Sequence, residues 1–140
     1  MSRAFPQVEM EPLYGFFHYL TTVVYGIAFR GEVIGQEYLP ADGARSLDGP
    51  FPTLLIRTPY DKSSAGNVEN QGLFYARRGY AVVIQDCRGR YASEGEFYFL
   101  AQEAEDGYDT IVWVGEQPWC NGKVGTLGTS YLAWVQSALA

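Results

Sequence analysis

Short apolar runs separated by stretches of helical character constrain this chain more than any other feature. Thr53-Leu54-Leu55-Ile56 and Ala81-Val82-Val83-Ile84 are brief, β-branched or aliphatic, and have no polar face. A strand buried on both sides has this pattern, and such strands belong to parallel sheets whose faces are covered by crossover helices. Between them, 67–78 is predicted as a helix stopped by Gly79, a residue that takes a left-handed conformation without penalty. Gln102 to Glu116 is predicted as a second. Its helical period places Ala104, Tyr108, Ile111, Val112 and Gly115 on one face, and Glu105, Asp106, Asp109 and Glu116 on the other. Trp113 falls on the polar side. Pro118, Asn121 and Gly122 end that helix, 123–127 forms a third short strand, and a last helix begins near Tyr131. Upstream, 23–29 and 33–39 are β-compatible runs around Arg30-Gly31-Glu32, interrupted by Gly26 and Gly35, and predict a hairpin. Pro40 to Pro52, rich in Gly, Pro, Asp and Ser, is expected to be a loop. The fold class is therefore α/β: a mostly parallel sheet opened by an antiparallel hairpin, with residues 1–22 as a surface arm and 23–140 as the domain.

Composition narrows the function. With 140 residues, 47% hydrophobic and 19% charged, the chain has enough apolar material for a core without disulfides or a structural metal. Cys87 and Cys120 form no C-x-x-C pair and are expected to be reduced thiols, which suits a reducing, cytoplasmic setting. A net charge of −6 with dispersed basic residues argues against a nucleic-acid partner, which needs a local excess of positive charge. No secretory signal is expected, since residues 1–10 lack a basic-then-apolar order. Phe16 to Phe29, broken by His18, Thr21, Thr22 and Gly26, is too short and polar to span a bilayer, so no membrane association is expected.

The chemistry is concentrated in Gly125-Thr-Leu-Gly-Thr-Ser-Tyr-Leu-Ala133, a tight strand-to-helix turn centred on Ser130. Such a turn holds a serine hydroxyl clear of the backbone at the carboxyl edge of a sheet and aims the first amides of the next helix at the same point. Small residues must flank it, because the helix is brought against the strand; Gly128 and Ala133 meet that need. The generic G-x-S-x-G pattern is not satisfied, since Leu132 occupies the second glycine position. Taken alone, a Gly-x-Ser at a strand end is more often a helix N-cap than a nucleophile.

Five blocks in order add to this reading. They are Gly49-Pro-Phe-Pro-Thr-Leu-Leu-Ile-Arg-Thr-Pro-Tyr-Asp-Lys62, Ala76-Arg-Arg-Gly-Tyr-Ala-Val-Val-Ile-Gln-Asp-Cys-Arg-Gly-Arg-Tyr-Ala-Ser-Glu-Gly-Glu-Phe97, Glu103-Ala-Glu-Asp-Gly-Tyr-Asp109, Gln117-Pro-Trp119 and Gly128-Thr-Ser-Tyr-Leu-Ala133. Together they resemble the hydrolase family of X-Pro dipeptidyl-peptidases, cocaine esterase-like (CocE/NonD) acyl hydrolases and α-amino-acid ester hydrolases. Residues 1–48 match only loosely. That family's nucleophile motif is Gly-x-Ser-Tyr-x-Gly, so Ala133 is the one departure within it. The resemblance implies an α/β-hydrolase fold and hydrolysis of an ester, amide or Xaa-Pro peptide bond through Ser130. It also implies two donors for the attacked carbonyl oxygen: the backbone N–H of Tyr131 and the phenol of Tyr60. Without the family block, Tyr60 would read as a turn tyrosine after Pro59.

Other conspicuous residues read as scaffold. Asp86 and Arg88 at a strand end are expected to fix a loop through charge-assisted hydrogen bonds. Glu103, Glu105, Asp106 and Asp109, with no His or Cys ligand nearby, read as a solvated face rather than a metal site. Gly122-Lys123 lacks the rest of a phosphate loop, and Trp113, Trp119 and Trp134 read as aromatic bulk. No cofactor or metal is expected. In this fold the triad acid and histidine follow the nucleophile, whereas the one histidine here is His18, upstream and out of order. The chain is therefore expected to be the amino-terminal part of an incomplete α/β-hydrolase domain, inactive alone. The alternative is a non-catalytic remnant or interaction module that pairs through an open sheet edge.

Overall fold

The computed structural model describes residues 22–29, 33–42 and 45–139. Residues 1–21 of the predicted arm, His18 among them, lie outside these. In chain order the strands are β1 (Thr22–Phe29), β2 (Val33–Leu39), the two-residue pair β3 (Ala41–Asp42) and β4 (Arg45–Ser46), β5 (Phe51–Thr58), β6 (Ala81–Asp86) and β7 (Cys120–Thr126). Helix α1 runs over 65–76, with α-helical ends at Ala65–Asn67 and Phe74–Ala76 around a π-helical turn at Val68–Leu73; α2 is Glu103–Gly115 and α3 is Tyr131–Ser137. Among these residues, no helix is long and apolar enough to cross a membrane.

The main sheet has the order β1-β2-β6-β5-β7. The predicted hairpin forms as β1 and β2, which pair antiparallel, and β2 runs antiparallel to β6. β5 is parallel to both β6 and β7, so these three strands release their carboxyl ends along one edge. The stretch expected to be a loop before β5 instead contains the pair β3 and β4, and β5 begins at Phe51. Pro52 has no N–H to give the ladder, and the β5–β7 register shifts between Phe51 and Thr53.

Period-two alternation along the buried strands divides the core between the two faces of the sheet. Leu54, Ile56, Val82 and Ile84 join Tyr38 and Ala76 on the side of α1. Leu55 and Val83 join Val114, Cys120 and Val124 on the side of α2. Gly72 lets α1 approach β2: a Cβ there would lie 2.8 Å from ring atoms of the buried Tyr38. Gly79 takes φ 87° just after α1, the left-handed stop that the sequence predicted. Cys87 and Cys120 are both free and buried. Burial and the Glu103 carboxylate push the Cys87 thiol well above its ordinary range.

Helix α2 forms where expected but turns a different face inward. Its buried residues are Glu103, Asp106, Gly107, Thr110 and Val114, while Tyr108 is 49% exposed and Ala104, Val112 and Gly115 are also exposed. Trp113, predicted on the polar side, packs against the Leu55 cluster and lies edge-on to Trp119. The reason is Arg57, fully buried on β5. An unneutralised guanidinium inside the protein is prohibitively costly, so the sheet demands carboxylates from the helix that covers it. Glu103 Oε2 lies 2.8 Å from Arg57 Nη1, off the N–H axis, as an ion pair without an aligned hydrogen bond. Asp106 Oδ2 lies 3.7 Å from Nη2. Arg57 Nε donates to Gln85 Oε1 at 2.7 Å, and Arg57 Nη1 donates to the Glu103 carbonyl at 2.9 Å. The expectation that Glu103 and Asp106 belong to a solvated face is therefore corrected: both are buried as counter-charges.

Candidate active site

The site is built where β7 turns into α3. Leu127 N–H donates to the Leu55 carbonyl at 3.2 Å, holding the end of β7 against β5, and α3 starts at Tyr131. Between them Ser130 takes φ 55° and ψ −126°. Non-glycine residues rarely adopt this backbone, at a cost on the order of 1–3 kcal/mol, unless the surroundings impose it. Gly128 shows the crowding responsible: a Cβ at that position would lie 2.6 Å from the backbone carbonyl carbon of Leu132. The small residue that the turn requires is thus enforced by α3 pressing on the strand end.

Ser130 is exposed, and its side chain makes no capping hydrogen bond to α3. Ser64 behaves differently, since its Oγ accepts the Asn67 N–H at 3.3 Å at the start of α1. Ser130 thus sits at the N-cap position of α3, its carbonyl accepting the Trp134 N–H at 3.2 Å, but its hydroxyl does no capping.

Tyr60 follows β5 and reaches the same edge. Tyr60 is 57% exposed, and its ring stands edge-on to the Tyr131 ring, with centroids 6.2 Å apart. Tyr60 N–H donates to Thr58 Oγ1 at 3.0 Å. Phe99, which sequence reasoning did not single out, lies 5.3 Å from Tyr131 on ring centroids. The Tyr131 hydroxyl donates to Glu103 Oε1 at 3.4 Å. Burial first, and the Glu103 carboxylate second, push the Tyr131 phenol up to about 12, so it stays protonated as a donor. The structure thus brings Ser130, Tyr131 and Tyr60 to one edge and adds Phe99 and Glu103 around Tyr131.

Asp86 and Arg88 do fix loops, though each through a distant partner. Asp86 holds Lys62, whose Nζ is 2.6 Å from Oδ2, and Arg88 Nε donates to Asp106 Oδ2 at 3.0 Å. Among the described residues, no three or more His, Cys, Asp or Glu side chains are grouped to hold a metal ion. The signal for the missed ion pairs was present in Arg57 and Lys62, cations at and just beyond the end of an otherwise buried strand. Their acceptors on α2 and β6 are remote in sequence.

A mixed sheet whose parallel strands deliver a strained serine turn to their carboxyl edge defines the class of the α/β-hydrolases. Within that class, the chain belongs to the X-Pro dipeptidyl-peptidase (S15) family, whose model matches residues 36–140. The match extends upstream of Gly49 to residue 36. The chain is 50% identical over 92 residues to a cocaine esterase of Rhodococcus sp. (strain MB1 Bresler), covering 64% of this chain and 16% of that one. Its fold matches a CocE/NonD family hydrolase from Staphylococcus aureus with a TM-score of 0.70 at 26% identity, over 85% of this chain and 25% of that one. It also matches an α-amino acid ester hydrolase with a TM-score of 0.63 at 26% identity, over 96% of this chain and 25% of the other. The chain therefore spans only a sixth to a quarter of the length of these relatives.

Proposed function

We propose that this chain carries the nucleophile and oxyanion-binding part of a serine acyl hydrolase acting on an ester, amide or Xaa-Pro peptide bond. The observation that carries the reading is Ser130 itself: exposed, strained and not engaged in capping at the carboxyl edge of parallel strands. Its Oγ attacks the carbonyl carbon as its proton passes to a general base. Negative charge then gathers on the carbonyl oxygen, where the Tyr131 N–H and the Tyr60 O–H stabilise it. Collapse of the tetrahedral adduct breaks the bond to the leaving group, which takes the proton back from the base. Water then repeats the cycle on the acyl-serine. In this fold the triad acid and histidine follow the nucleophile, and the one histidine in this chain is His18, upstream of Ser130.

The test is made in the full-length enzyme. A fluorophosphonate should label Ser130, located by peptide mass spectrometry, and Tyr60→Phe should lower kcat by about 10²–10³-fold on an activated ester. Labelling at another serine, or a Tyr60→Phe enzyme of unchanged kcat, would refute the assignment. A second reading has one supporting observation: β7 is the outer strand of the described sheet, with Asn121 to Lys123 exposed. An edge of this kind suits a non-catalytic module that pairs with another strand. The two readings separate on the full-length protein, since a module would neither react with the probe nor turn over ester.

A further inference from the structure

We infer that the buried Lys62–Asp86 ion pair positions the Tyr60 hydroxyl. This rests on the reading of Tyr60 as an oxyanion donor. The exposed Tyr60 side chain meets the Tyr131 ring on one side and is not confined by a core, so its aim depends on the backbone on either side as well. That backbone is tied down at successive residues. Arg90 Nε donates to the Pro59 carbonyl at 3.1 Å, and Asn67 Nδ2 donates to the Asp61 carbonyl at 2.6 Å. Asp61 sits at φ 69°, a left-handed conformation that a non-glycine residue keeps only when its neighbours impose it.

The strongest tie is at Lys62. Its N–H donates to Asp86 Oδ1 at 2.8 Å and its Nζ to Asp86 Oδ2 at 2.6 Å, so one carboxylate grips both the backbone and the side chain of the same residue. The Ala92 N–H adds a donor to Oδ2 at 3.3 Å. Lys62 is 5% exposed and Asp86 fully buried. An apolar residue of similar volume would fill this space without desolvating two charges. What it would not do is fix the turn relative to β6 in two directions at once. β5 and β6 are adjacent and parallel, with Thr58 opposite Asp86 in register, so this grip references the Tyr60 turn to the same sheet edge that carries Ser130. Lys62 and Asp86 are positioning residues; neither is required to touch substrate.

A double-mutant cycle in the full-length enzyme separates this role from mere support of the fold. Lys62→Met is expected to lower kcat by about 10-fold or more with little change in KM, because an oxyanion donor acts in the transition state. In a Tyr60→Phe background the same substitution should change kcat less than about twofold, since the hydroxyl it positions is already gone. Lys62→Met combined with Asp86→Asn leaves no buried charge unpaired and should show the same loss and the same coupling, which keeps the test open if the single variant folds poorly. Equal losses in both backgrounds, or an unchanged kcat in a folded variant, would overturn the positioning role while leaving the oxyanion assignment standing. A Tyr60→Phe enzyme of full activity would overturn the assignment, and this inference with it.

Discussion

Ser130→Ala in the full-length enzyme is expected to lower kcat by about 10⁶-fold, the scale seen when a serine that works as a unit with its base is removed. On the proposed function the residual rate should still exceed that in water, because the Tyr131 N–H and the Tyr60 hydroxyl would remain as donors to the carbonyl oxygen. Stability should hardly move. The Ser130 side chain is exposed and caps nothing, and alanine inherits the same φ of 55°, so neither packing nor backbone strain changes. Steady-state hydrolysis of an activated ester, alongside a thermal melt, checks both halves. A variant that keeps more than about a hundredth of the wild-type kcat would remove Ser130 from the reaction.

Arg57→Met is expected to give the largest stability loss, about 3–5 kcal/mol, because it leaves the buried Glu103 carboxylate without its counter-charge. Glu103 has its ion-pair partner in Arg57, whereas Asp106 keeps Arg88 through the 3.0 Å bond from Arg88 Nε. Gln85 Oε1 loses the donor at 2.7 Å as well. The loss should appear as a lower urea midpoint with an unchanged m-value. Adding Glu103→Leu should recover part of it, since a buried pair replaced whole by apolar groups often costs nothing. Arg57→Met unfolding at the wild-type urea concentration would mean that these charges do not hold α2 to the sheet.

The legible part of this protein was local. Leu54 to Ile56 and Ala81 to Ile84 read as buried parallel strands because alternate side chains on both faces were apolar, and Gly79 read as a helix stop because of its own backbone freedom. The α2 face was misread by the same logic. Ala104, Tyr108 and Val112 form an apolar stripe at helical spacing, yet they are exposed, because hydrophobic periodicity takes no account of a cation waiting on the sheet. Only the partner strand reveals that Arg57 draws Glu103 and Asp106 inward.

Adjacent residues determined the buried strands and the tight turn at Ser130, with Gly128 two places before it, since backbone preferences and side-chain alternation act over a few positions, while the reading of that serine as a nucleophile needed the five family blocks together. Tertiary structure alone decided which face of α2 turns inward, which carboxylate meets Lys62, and that Tyr60 stands beside Tyr131 with ring centroids 6.2 Å apart. Those outcomes depend on buried charges finding opposite charges across the sheet, and on β5 and β7 ending side by side. Both are set by the cost of desolvation and the register of strands far apart in the chain.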